Sequence, residues 1–160
     1  MSCFNQRVLD FSIIVDTFEQ MERTSSRLAL TDYLVSLLRK TPTDIIDRVI
    51  YLIQGKLHPD YEGVELGLAE KLAIRAISLS TGLDVKSIEQ IYRNTGDLGD
   101  TVGEVTKSKN QTTLFAEKMT VERVYLTLDK IAHSAGVGSQ DAKLRLVSSL
   151  LTLNSRESRY

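Results

Sequence analysis

An all-α fold is what this 160-residue chain predicts, and three observations carry the reading. Apolar residues recur at spacings of three and four through most of the sequence, the period of a helix with one face turned inward. No stretch alternates apolar and polar residues as a half-buried strand does. Ser, Thr, Asp and Pro stand ahead of the periodic stretches and Gly follows several of them, the punctuation of successive helix starts and stops.

The elements follow in order. From Phe4 to about Glu22, the residues Val8, Phe11, Ile14, Val15 and Phe18 form one apolar face. Thr24-Ser25-Ser26 offers caps for a second helix through Leu28, Leu34, Leu37 and Leu38, which ends in the cations Arg39 and Lys40. Thr41-Pro42-Thr43-Asp44 predicts a third start, with Thr as cap and Pro in the first turn, leading through Ile46, Val49, Ile50 and Ile53 to Gly55. Residues 55–67, with Pro59 and Gly63, read as an ordered loop.

A helix from Leu68 to Ser80 carries Leu72, Ile74 and Ile77 and closes at Gly82, and Asp84 caps a short one through Ile88 and Ile91. Asn94 to Asp100 is rich in turn residues and precedes a modest helix to about Val105. Lys107 to Lys118 has no periodicity and reads as a surface loop. Thr120 then caps a helix whose stripe is Val121, Val124, Tyr125, Leu128 and Ile131. Ser139 is expected to cap the last complete helix, with Leu144, Val147, Leu150 and Leu151 on its core face. Asn154-Ser155-Arg156-Glu157 looks like one more start, so the sequence predicts a single domain over 1–160 that is truncated within a following helix.

Bulk properties narrow the function. The formal charge of −1 does not mark a nucleic-acid binder, yet its distribution is uneven. Residues 1–100 hold 11 Lys and Arg against 15 Asp and Glu, while residues 101–160 hold 9 against 6. A local basic field is therefore available to a polyanion in the last third of the chain. The single cysteine, Cys3, cannot form an internal disulfide, and no apolar run reaches the length of a membrane span. A cytoplasmic location and no membrane partner are the expectation.

The chemistry of most enzymes is absent. His58 and His133 are far apart in sequence and neither sits in a metal-ligand spacing, so no metal site and no catalytic residue are assigned. His133 falls in the last turn of a helix, where an imidazole satisfying a terminal carbonyl is the expected role. No Gly-Lys-Ser/Thr phosphate loop and no dinucleotide fingerprint appears.

The most informative stretch is Ala132 to Arg145. One helix stops at Gly136 and the next starts behind Gly138 and Ser139, with Lys143 and Arg145 in its first two turns. Helix starts hold unpaired N–H groups and the positive end of the macrodipole, so they suit phosphate oxygens. Taken alone, the same residues are more often ordinary capping, and Asp141 in the first turn would compete for the N–H groups. A second feature lies in the surface loop, where Gln111, Leu114 and Phe115 interrupt a polar segment. Such a Leu-Phe pair is either tucked onto the domain or offered to a pocket on another protein.

Together these blocks resemble the N-terminal DNA-binding domain of archaeal-type ATP-dependent DNA ligases. The resemblance runs in order through Thr24 to Leu28, Glu65 to Leu72, Thr95 to Gly99, Gln111 to Phe115, Val124-Tyr125 and Gly136 to Lys143. It implies a compact multi-helix domain that grips nicked duplex DNA through backbone contacts, without sequence preference, while the parent enzyme seals the nick in replication, repair and recombination. Carried over, Gly136, Gly138, Ser139, Gln140 and Lys143 are the DNA-binding residues, with Arg145 a nearby cation and Arg27 a further contact. The family pattern places Arg where this chain has Ala142.

The resemblance also makes Gln111, Leu114 and Phe115 a sliding-clamp-binding box, with Leu114 in place of one aromatic. ATP and Mg2+ belong to the parent enzyme; this sequence has no Lys-X-Asp-Gly motif to form an adenylate, and the piece alone is expected to be inactive and monomeric. The alternative from another class is a helical protein-interaction module whose main ligand is the sliding clamp.

Overall fold

A computed structural model describes residues 8–107 and 118–157. Among these the chain forms eight α-helices: α1 (Ser12–Glu22), α2 (Arg27–Lys40), α3 (Ile46–Ile53), α4 (Glu70–Thr81), α5 (Val85–Thr95), α6 (Leu98–Lys107), α7 (Val121–His133) and α8 (Ser139–Glu157). A 3-10 turn at Asp60–Glu62 lies in the loop before α4. The only β pairing among the described residues is an isolated bridge between Asp10 and Thr120. The all-α expectation holds.

The chain divides into two compact units. The first takes Met1–Val64 and Met119–Leu126, the second Glu65–Lys118 and Thr127–Tyr160. In the first, α1 packs on α2, and Leu9, Ile14, Leu37, Ile45, Val49 and Val121 form a buried core flanked by Phe11, Phe18 and Leu52. In the second, α4 packs against α5, α6 and α8. Ile74, Ile77, Ile88 and Val105 make its core, with Leu98, Val102 and Leu151 against them.

Several boundaries differ from the sequence reading, each for a local reason. The first helix begins at Ser12, because the backbone ahead of it bonds across the first unit. Phe11 N–H donates to the Met119 carbonyl and Val121 N–H to that of Leu9, at 2.8 and 3.0 Å. Val8 and Val15, assigned to the apolar face, are exposed.

Thr41 does not cap α3 but ends α2. Its hydroxyl donates to the Leu37 carbonyl at 2.9 Å, a turn follows, and α3 starts only at Ile46. The turn-rich stretch near Asn94 is narrower than expected: α5 continues to Thr95, Gly96 closes it at φ 75, and α6 begins at Leu98. Asn154 to Glu157 is no new start, since α8 runs through it unbroken. Leu28 and Ile50, expected on buried faces, are also exposed, so the buried stripe is narrower than the apolar one.

Other readings are met in detail. The Ser26 side chain accepts the Ala29 N–H at 3.4 Å at the start of α2. The Asp84 carboxylate takes the Ser87 N–H at 3.0 Å at the start of α5, and Thr120 takes that of Arg123 at 3.2 Å ahead of α7. Leu72, Ile74, Ile77, Val121, Val124, Tyr125 and Ile131 are buried as the periodicity requires. No helix among the described residues is long and apolar enough to cross a membrane.

Candidate nucleic-acid interface

The link between α7 and α8 is built by its glycines. Helix α7 ends at His133, whose Nδ1 lies 3.0 Å from the Asp129 carbonyl and 3.2 Å from the Asp129 carboxylate. This is the terminal-carbonyl role expected of it. Ser134 adds a second tie, its hydroxyl donating to the Lys130 carbonyl at 2.7 Å. The chain then turns at Gly136 and Gly138, with φ +86 and +84. A side chain at either position would force its Cβ toward the carbonyl oxygen, which is why glycine stands at both.

The turn alters the role of Ser139. It is the first helical residue of α8, not its cap, and Gly138 occupies the cap position. The Ser139 N–H closes the turn onto the Gly136 carbonyl at 3.2 Å, and the Ala142 N–H reaches the Gly138 carbonyl at 3.1 Å. Among the described residues, no protein acceptor takes the N–H groups of Gln140 or Asp141. Gly138 carries no side chain to fold over them, so this helix start stays open.

The surrounding side chains fall into two sets. Gly136, Gly138, Gln140, Asp141 and Arg145 are exposed and Ser139 is half-buried. Val137, between the two glycines, projects wholly into solvent. Asp141 is the acid of the first turn, where the macrodipole favours it.

Lys143 departs from the sequence picture of a surface cation. Only 8% of it is accessible, and its Nζ lies 3.4 Å from where a Cβ on Gly67, in the stretch before α4, would stand. The structure thus brings the Glu65–Leu72 block and the junction together within the second unit, through a lysine stem. Sequence reasoning missed this because Lys143 lies i, i+4 from Val147 on the helix row that faces the core, and a charge at such a position is conventionally read as solvated.

Arg27 belongs to the first unit, as the first residue of α2, beside the Ser26 cap. Gln111, Leu114 and Phe115 lie outside the described residues.

Comparison with known proteins adds an independent line. A family model described as "DNA ligase N terminus" matches residues 10–160. The chain is 56% identical over 143 residues to a DNA ligase of Nitrosopumilus maritimus, covering 89% of this chain and 24% of that protein. It is 52% identical to a DNA ligase of Cenarchaeum symbiosum, with the same coverage. A "DNA ligase 2" of Thermofilum pendens is 44% identical over 160 residues, covering 95% of this chain and 27% of that protein. The chain spans about a quarter of the length of the curated relatives it matches.

Proposed function

Since the chain belongs to the DNA ligase N-terminal domain family, we propose that it grips nicked duplex DNA by the sugar-phosphate backbone. The observation that supports this most directly is the open start of α8. Beyond the Gly136 and Gly138 turn, the N–H groups of Gln140 and Asp141 have no protein acceptor among the described residues, and Arg145 adds a cation one turn further on. Oriented N–H dipoles and a guanidinium match phosphate oxygens and carry no information about base sequence. Gly136, Gly138, Ser139 and Gln140 are the proposed backbone contacts, with Arg145 as the cation beside them, Lys143 as a cation whose ammonium lies at the Gly67 turn, and Arg27 as a contact on the first unit.

The role follows from the part of the relatives that the chain spans. Their remaining length is where adenylation with ATP and Mg2+ belongs, and nick sealing in replication, repair and recombination is the activity proposed for the whole enzyme. This chain contributes the hold on the substrate. The Gln111, Leu114 and Phe115 segment is proposed as the sliding-clamp contact on its sequence pattern, and Phe115→Ala is expected to abolish retention on immobilised clamp without changing DNA affinity. A monomer in the cytoplasm suits both contacts.

The deciding experiment is a fluorescence-anisotropy titration of nicked duplex at rising salt. Binding is expected to weaken along a straight line of log K against log salt, with equal affinity for unrelated sequences. Absence of binding at low salt, or a slope near zero, overturns the reading.

A further inference from the structure

The start of α4 presents a second open helix end, and a buried lysine points at it. Gly67 adopts φ +56, and Ala69, the residue before α4, makes no side-chain cap. The first N–H groups used in protein hydrogen bonds are those of Leu72 and Ala73, both onto the Ala69 carbonyl, at 2.9 and 3.1 Å. Among the described residues, the N–H groups of Gly67, Leu68, Ala69, Glu70 and Lys71 have no protein acceptor. Successive unpaired N–H groups at a left-handed turn and helix start make a concave anion site.

The independent observation is Lys143. Its residue surface is 8% accessible, and Nζ lies 3.4 Å from where a Cβ on Gly67 would stand. No carboxylate oxygen among the described residues lies within ion-pair distance of it, and no protein hydrogen bond is made to it. Yet no buried side-chain nitrogen or oxygen is left without a partner. The ammonium therefore keeps its contact with solvent, and it does so at the Gly67 turn, where its stem leads.

The acids nearby do not occupy the turn. Glu70 is engaged elsewhere, its carboxylate accepting the Tyr92 hydroxyl at 3.2 Å and, by its charge, holding that hydroxyl above its ordinary pKa. Glu65 is exposed, with no ion pair among the described residues. Lys71 and Arg75, one turn apart and exposed on α4, add positive charge to the same end of the helix.

We propose that the Gly67–Lys71 backbone and the Lys143 ammonium form a second phosphate cradle, separate from the α8 start, that holds one phosphodiester of the duplex backbone. Its ligand rests on the DNA reading above; its anion chemistry does not. An ammonium at the end of a buried stem suits the role, because that stem is already ordered before the phosphate arrives.

The test is an amide NMR titration of the 160-residue chain, first with inorganic phosphate and then with nicked duplex. Phosphate is expected to shift the amide resonances of Gly67 to Lys71 saturably, and Lys143→Met is expected to remove those shifts. Circular dichroism and a melting curve check that the variant folds. Gly67→Ala provides a second variant, since its Cβ would fill the space beside Nζ, 3.4 Å away, from a backbone conformation that alanine rarely adopts.

With duplex, Lys143→Met is expected to bind about tenfold more weakly at low salt, the loss of one charge-assisted contact. The salt slope should fall by about 0.9. Phosphate shifts confined to residues 138–141, or shifts that survive in both folded variants, overturn the cradle and leave the DNA reading standing. Phosphate shifts at Gly67 to Lys71 in a chain that binds no duplex overturn the DNA reading and leave the anion site.

Discussion

Helices α5 and α8 begin in opposite ways. At α5, Asp84 folds back so that its carboxylate takes both the N–H of Ser87, at 3.0 Å, and its hydroxyl, at 2.6 Å. At α8, Gly138 stands in the same position with φ +84 and no side chain at all. Both helices carry the same backbone dipole, so the difference lies in what occupies the first turn. A start closed by its own carboxylate is a structural end; one left open by glycine can accept an anion from outside. A helix start becomes a candidate site through what its cap omits.

The largest effect should come from making α8 resemble α5. Gly138→Asp places a carboxylate over the open N–H groups, and aspartate tolerates the left-handed region better than most residues. Duplex affinity is expected to fall about tenfold or more, from lost N–H contacts plus charge repulsion with phosphate. Anisotropy titration reads this directly, and unchanged affinity would break the comparison.

Arg145→Ala is next in size. The residue is exposed, so its loss should weaken binding by about two- to fivefold and lower the salt slope by about 0.9, with the melting temperature unmoved. A slope equal to that of the unmodified chain would remove Arg145 from the interface.

Asp141→Asn probes the remaining acid of the open start. Its removal is expected to raise duplex affinity about twofold at low salt, an effect that should vanish as salt screens it. Weaker binding on this substitution would instead make Asp141 part of the grip.

The smallest effect concerns the closed end. The hydroxyl of Ser87, and then its backbone N–H, hold the Asp84 carboxyl below its ordinary pKa. A carboxyl depressed in the folded state stabilises the fold above its unfolded pKa, and that contribution fades as pH falls through the lower folded value. Asp84→Ala should therefore lower the melting temperature by a few degrees at neutral pH, and the gap should narrow in acid below the ordinary carboxylate range. DNA affinity should not change. A gap that persists at low pH would mean that the cap acts without its charge.

Much of this was legible in the residues themselves. The periodic stripes located each helix, and Ser26, Asp84, Thr120 and Gly82 marked ends that the structure places within a residue or two. These are local features: a side chain and the backbone within one turn suffice to define them. The Gly136–Gly138 turn was legible for the same reason. Where the reading failed, distant or competing bonds intervened. Leu9 and Phe11 bond to residues near 120, which no local pattern announces. Thr41 has two helices to serve, and its hydroxyl goes to the one behind it.

The candidate site divides along the same line. Sequence order alone determined that the helices exist, that a glycine turn separates the last two, and that cations follow that turn. It did so because helix period, capping and left-handed glycine are short-range physics. Only the tertiary structure decided that Lys143 is buried and that its ammonium emerges at Gly67, a residue 76 positions earlier in the chain. That pairing exists because α4 and α8 pack together, and side-chain packing between helices distant in sequence has no signature in either one alone.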